Sequence, residues 1–296
     1  MEDDKTRRAK WNLVAVILAV TFAIMWYLVT VAKHLEQTSA LFIGIPAAIA
    51  IMVALAPRAK TVTGAILKAL TIGLLISGVL LREGFICILM AAPIFYVVGI
   101  IVGLSIDSAR KKRATMTCLL LFAFVPMSFE GTSQRWSFTR EESVTVERVV
   151  AASSAEVEAA LAQSPRVDGR LPLYLRLRFP RPVSARGAGL QTGDLRAIHF
   201  AGGEGRPGDL VMQVIDSEPG HVRFVVVSDN SKIAHWLAWR SSEVRWNAID
   251  AGHTRVAWTL NFRRDLDPAW YFRPWERYAV RLAAEYLIEN NAAPER

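Results

Sequence analysis

The chain has 296 residues, 52% of them hydrophobic and 21% charged, and a formal net charge of +8. The basic excess is topogenic rather than nucleic-acid binding, because the first 130 residues hold 13 Lys and Arg against 7 Asp and Glu while the remainder is nearly balanced, so no nucleic-acid partner is expected. Both cysteines, Cys87 and Cys118, precede residue 130, which leaves the rest without a disulfide framework or a CxxC metal site.

Five apolar runs come first, at residues 12–32, 40–56, 65–81, 85–104 and 114–129. About 20 apolar residues cross a hydrocarbon core, so a series of such runs predicts an all-α transmembrane bundle of five helices over residues 1–130. The first run is too long for a signal peptide, and further runs follow it. Lys5, Arg7, Arg8 and Lys10 precede the first run, Arg58 and Lys60 follow the second, and Arg110 to Arg113 follow the fourth. This alternation sets a cytoplasmic N-terminus in the plasma (bacterial inner) membrane. Five crossings then leave the C-terminal domain extracytoplasmic. The fifth run is short and holds Pro126, and without its crossing the domain would be cytoplasmic.

No Asp, Glu or Arg sits in the middle of a run, which points to an anchor rather than an ion carrier. Gly99 and Gly103 have the GxxxG spacing that lets two helices approach closely. Residues 131–140 read as a polar connector, in which Arg135 and Trp136 suit a headgroup layer.

Residues 141–296 have globular composition. Val144 and Val146 alternate with polar neighbours as in a strand. Ser153 and Glu156 have capping-box spacing ahead of Val157, Ala160 and Leu161, predicting a short helix that Pro165 ends. Residues 165–193 read as a long loop with extended pieces, one of them at 173–179. A strand over 193–200 follows, then a hairpin pairing 209–216 with 221–228 and another pairing 243–249 with 254–262. Between the hairpins, Ser231 suits a helical turn, and residues 236–240 suit an extension of the next strand. The chain ends in a helix that Asp267 is expected to cap with Pro268 in its first turn and a kink or restart at Pro274. Trp275, Tyr278, Leu282 and Tyr286 recur at helical spacing and predict an aromatic face. Glu276, Arg277, Arg281 and Glu285 fall on the other.

This order of strand, helix, loop, antiparallel meander and long terminal helix resembles the helix-grip fold of the SRPBCC superfamily, with its START, Bet v 1-like and polyketide cyclase/dehydrase members. The stretches that carry the resemblance are residues 144–161, 252–256 and 263–268. The resemblance implies an α+β domain whose curved sheet and terminal helix enclose a cavity for apolar or amphipathic molecules. Trp246, Trp258, Phe262, Tyr271, Trp275 and Tyr278 are the expected ligand-binding residues, because strand parity and helical spacing turn each toward the opposite element. His235 is the candidate acid or base. The histidines have no metal-ligand spacing, and neither metal nor cofactor is expected.

The expected function is membrane-anchored binding or transfer of a lipid, isoprenoid or polyketide-like ligand, with membrane lipids and a hydrophobic small molecule as partners. Binding is favoured over catalysis. The alternatives are a cyclase or dehydrase acting on such a substrate, and a non-binding domain that docks a membrane-protein partner.

Overall fold

The computed structural model describes residues 59–80, 85–110, 130, 138–177, 179–201 and 207–292. The chain forms two compact units, Met1–Ser128 and Phe129–Arg296. The expected runs at 12–32, 40–56 and 114–129 lie outside the described residues.

In the first unit, α1 (Val62–Leu80) packs on α2 (Phe85–Arg110). The GxxxG pair makes this contact. A Cβ on Gly99 would collide with Leu70, and one on Gly103 would lie 2.5 Å from Thr63 Cα. Helix α2 runs past Leu104, where the expected span ended, because Asp107 has work to do in the packed pair. Its carboxylate accepts the N–H groups of Val62 and Thr63 at 2.8 and 3.0 Å and so caps the start of α1. The 21-residue segment Ile88–Ser108 is the one described helix long and apolar enough to cross a membrane.

The second unit is a seven-stranded antiparallel sheet with a helix-grip arrangement. Its strands are β1 (Glu141–Val150), β2 (Arg181–Arg186), β3 (Leu195–Ala201), β4 (Gly208–Glu218), β5 (His221–Asp229), β6 (Leu237–Ala248) and β7 (Thr254–Arg264). They lie in the order β1-β7-β6-β5-β4-β3-β2, so β1 and β2 form the edges. Helix α3 (Ser154–Leu161) follows β1 with its capping box formed, Ser153 and Glu156 bonding reciprocally. The buried Arg196 holds the far end of α3 by donating to Leu161 O and Gly189 O. Its guanidinium lies 4.8 Å over the Phe224 ring. Burial lowers its pKa to about 10.

Two expectations for the loop regions are revised. In the piece expected to be extended at 173–179, Tyr174–Arg176 is a 3₁₀ turn, and the extended piece of the loop is β2, which pairs with β3. Both readings of the stretch between the hairpins hold in part: a 3₁₀ turn at Lys232–His235 leads into β6 at Leu237, but the Ser231 side chain makes no cap bond and Trp236 stays outside the strand.

Helix α4 (Ala269–Asn291) closes the domain and continues through Pro274. Asp267 does not cap it. Pro268 occupies the cap position without a side-chain bond, and Asp267 pairs instead with Arg140. The Ala269 N–H donates to Glu130 Oε1 at 2.7 Å, so a residue far away in sequence satisfies one of the first-turn donors.

The inward stripe of α4 also differs from the expected aromatic one. Glu276, Val280, Ala284 and Ile288, four residues apart, are buried, whereas Trp275 and Tyr278 are 43% and 48% exposed. The small inner residues let the helix sit close on Trp246, Trp258 and Phe262 of the sheet. All of these except Glu276 share one core cluster. The loop over residues 165–179 runs alongside α4 as a strap. Asn291 bonds both the N–H and the carbonyl of Arg166, and Tyr286 donates to Gly169 O at 3.3 Å. Gly169 abuts Asn290 so closely that a Cβ there would collide with it. Val167 of the strap packs on Ile198, Phe200 and Leu210 over β3 and β4. The concave side of the sheet therefore holds side chains from both α4 and the strap.

Candidate functional site

Open volume lies along the β1 edge, where α4 crosses it. A groove of about 480 Å³ is lined by β1 from Val144 to Arg148 and by Arg277, Tyr278, Arg281 and Glu285 of α4. Alternation turns Val144 and Val146 inward into the core, 7% and 5% exposed, so they add only a small apolar part to a lining that is otherwise mostly polar. Helical spacing puts Arg277, Arg281 and Glu285 in one row along the groove.

The rim is cationic. Glu285 accepts from Arg148 at 2.9 Å and from Arg281 at 3.1 Å. Glu142 accepts from Arg273 and Arg277, each at 2.7 Å. Four guanidinium groups thus share two carboxylates. On the lining itself, Arg148, Arg277 and Arg281 stand against Glu147 and Glu285, a net excess of one positive charge. A volume of this size holds a small amphipathic molecule, and surplus guanidinium groups at its mouth suit an anionic head.

Glu142, the partner of Arg277, also belongs to a buried polar cluster. Arg264 is fully buried; its Nη1 donates to Leu266 O at 2.9 Å and lies 3.8 Å from Asp267, and its Nε lies 3.9 Å from Glu142. Glu276 faces this cluster from α4, 5% exposed. Burial raises its pKa to about 7, against the opposing pull of Arg264.

That shift has a consequence for stability. Below the unfolded carboxyl pKa both states are protonated and Glu276 costs nothing. As pH rises toward 7 the unfolded chain ionises first, so stability falls, and above 7 the full cost is present. Glu276→Gln should therefore stabilise the protein by up to about 3 kcal/mol at about pH 8 and leave it unchanged at about pH 4. Denaturant unfolding at the two pH values checks this.

Of the expected ligand residues, only Tyr278 lines the groove. Trp246, Trp258 and Phe262 are 2%, 6% and 0% exposed in the core, and the Trp258 indole donates to Ser242 Oγ at 2.8 Å. Tyr271 is half-buried between Trp270 and Phe272, with ring centres 5.8 and 4.9 Å away. Trp275 is exposed and off the groove lining, and so is His235.

Glu142, Arg264 and Glu276 were missed, though parity carried a signal. Glu142 shares the inward parity of Val144 and Val146, and Arg264 that of Trp258, Leu260 and Phe262. Inward charges at the paired ends of two neighbouring strands mark a buried ionic cluster.

No family model matches this chain, and no curated protein matches it. Solved structures of the SRPBCC type are similar to it over the C-terminal half. Norcoclaurine synthase of Thalictrum is 12% identical, covering 51% of this chain and 97% of its own, with a TM-score of 0.33. The Zhui aromatase/cyclase of Streptomyces is 18% identical over 51% of this chain and 86% of its own, with a TM-score of 0.31. A major latex-like protein of Panax ginseng is 9% identical over 51% and 97%, with a TM-score of 0.33. At these values the fold rests on the sheet order and terminal helix described above, and the function rests on the groove.

Proposed function

We propose that this protein binds an amphipathic small molecule with an apolar body and an anionic head, of fatty-acyl, isoprenoid or polyketide-like character, in the groove between β1 and α4. The observation that carries the reading is the groove itself, where Val144, Val146 and Tyr278 supply the apolar part of the lining and Arg148, Arg277 and Arg281 outnumber Glu147 and Glu285. The same reading makes the N-terminal part a membrane anchor with a cytoplasmic N-terminus and the ligand-binding domain extracytoplasmic. Support comes from the basic-loop alternation and from the apolar length of Ile88–Ser108. A poorly soluble ligand gains from a tethered site, because its path out of the bilayer is short.

The test is titration of the full-length protein with a dansylated fatty acid, followed by displacement with oleate. Binding should be saturable. Arg281→Glu should weaken it about tenfold, the scale of one lost charged contact. Absence of saturable binding would remove this reading. The second reading, a domain that docks a membrane protein, would then be favoured, since Trp246, Trp258 and Phe262 are buried in the core and off the groove lining.

A further inference from the structure

The first turns of α4 and the adjoining 3₁₀ turn form a face with its own composition. All four exposed aromatic side chains among the described residues of the second unit, Phe138, Trp270, Trp275 and Tyr278, lie at this end, at 69%, 51%, 43% and 48% exposure. Leu173 and Leu177 join them at 70% and 45%, on the turn whose Tyr174 ring stacks against Tyr278 with centres 5.2 Å apart. Arg273 and Arg277, about half exposed, stand beside Trp270 on the helix, and both share the buried Glu142. Exposed tryptophan and tyrosine interleaved with arginine match the border of a bilayer, where rings sit at the headgroups and guanidinium groups reach phosphates.

The chain enters the domain beside this face, because Glu130 accepts the Ala269 N–H at 2.7 Å. Arg140 adds a second tie, bonding Asp267 by its side chain and Arg264 N–H by its carbonyl.

We infer that this end of the domain lies on the surface of an anionic bilayer, with Trp270, Trp275, Leu173 and Leu177 in the headgroup layer and Arg273 and Arg277 on phosphates. The inference rests on the membrane reading above and deepens it. Arg277 and Tyr278 belong to both the groove lining and this face, so the groove opens toward the bilayer and takes its ligand from there.

The experiment uses the full chain with Cys87 and Cys118 replaced by Ala, in nanodiscs of phosphatidylcholine and phosphatidylglycerol in about equal amounts. Spin labels are placed singly through Trp275→Cys, Leu173→Cys, Leu177→Cys, Ile249→Cys and Phe95→Cys, all at exposed positions. Ile249 lies in the turn that precedes β7, at the end of that strand opposite Arg264, and the strand itself rises roughly 33 Å over its ten steps. Saturation measurements with oxygen and with a water-soluble nickel chelate report lipid against water. Labels at 275, 173 and 177 should show an oxygen-to-nickel ratio severalfold above that at 249, with 95 deeper still. If 95 is in lipid while 275, 173 and 177 match 249, the docking face is overturned and the membrane reading stands. If 95 is itself in water, the membrane reading fails and takes the inference with it. Shielding of 275 and 173 from both reagents means that a protein or a second copy covers the face, which also overturns it.

Discussion

Arg264→Met should cost about 3–5 kcal/mol of unfolding free energy, the loss expected when one partner leaves a buried ionic cluster. Arg264 is fully buried where Glu142 and Asp267 approach it to 3.9 and 3.8 Å, and Glu276 faces the same space. Without the guanidinium, these carboxyl groups are left with less compensation in a space largely shielded from water. Their protonation should return part of the loss, so the mutant should be relatively more stable in mild acid. Adding Glu276→Gln to Arg264→Met should recover more, because it removes a carboxyl that is already hard to ionise there. Arg264→Lys should fall between wild type and Met, since an ammonium keeps the charge without the planar fork. Denaturant titration of the three variants measures all of this. A loss below about 1 kcal/mol for Arg264→Met would mean that the cluster behaves like an exposed ion pair.

Trp258→Ala should cost about 3–5 kcal/mol, as large aromatic truncations in a packed core do, and should leave probe affinity unchanged. Trp258 pairs with Val146 across β1 and with Val244 across β6, and its indole N–H is satisfied by Ser242. Truncation removes contacts on the sheet and strands the Ser242 hydroxyl. The groove lining does not include Trp258, so the dansyl titration should move only through any loss of folded protein. Running unfolding and titration on the same samples separates the two. Affinity for the probe that falls while stability holds would put a ligand against Trp258 and return the site to the interior.

The local elements of the C-terminal domain were legible in the sequence because short-range rules govern them. The capping box at Ser153 and Glu156, the alternation of Val144 and Val146, and the turn between β4 and β5 each need only neighbours in the chain. Strand parity likewise identified the inward residues of β7 from Val256 to Phe262. The GxxxG pair at Gly99 and Gly103 announced a close helix contact, though only the fold named Thr63 and Leu70 as what it meets.

What depends on tertiary structure is which face of α4 is inside. Its aromatic stripe is the more apolar by composition, so spacing alone turned Trp275 and Tyr278 inward. The helix instead presents Val280, Ala284 and Ile288 to the sheet, because bulky sheet residues such as Trp246 and Trp258 already occupy the interior and only a slim surface fits against them. Glu276 is carried inward with that stripe, and Arg264, a sheet residue twelve positions earlier, offsets only part of its desolvation. The same choice leaves the aromatic side to the strap and to solvent, with Tyr278 both against Tyr174 of the strap and on the groove lining. Helical period lists the residues that share a face, but which face is buried depends on the shape and charge of a partner that is distant in sequence.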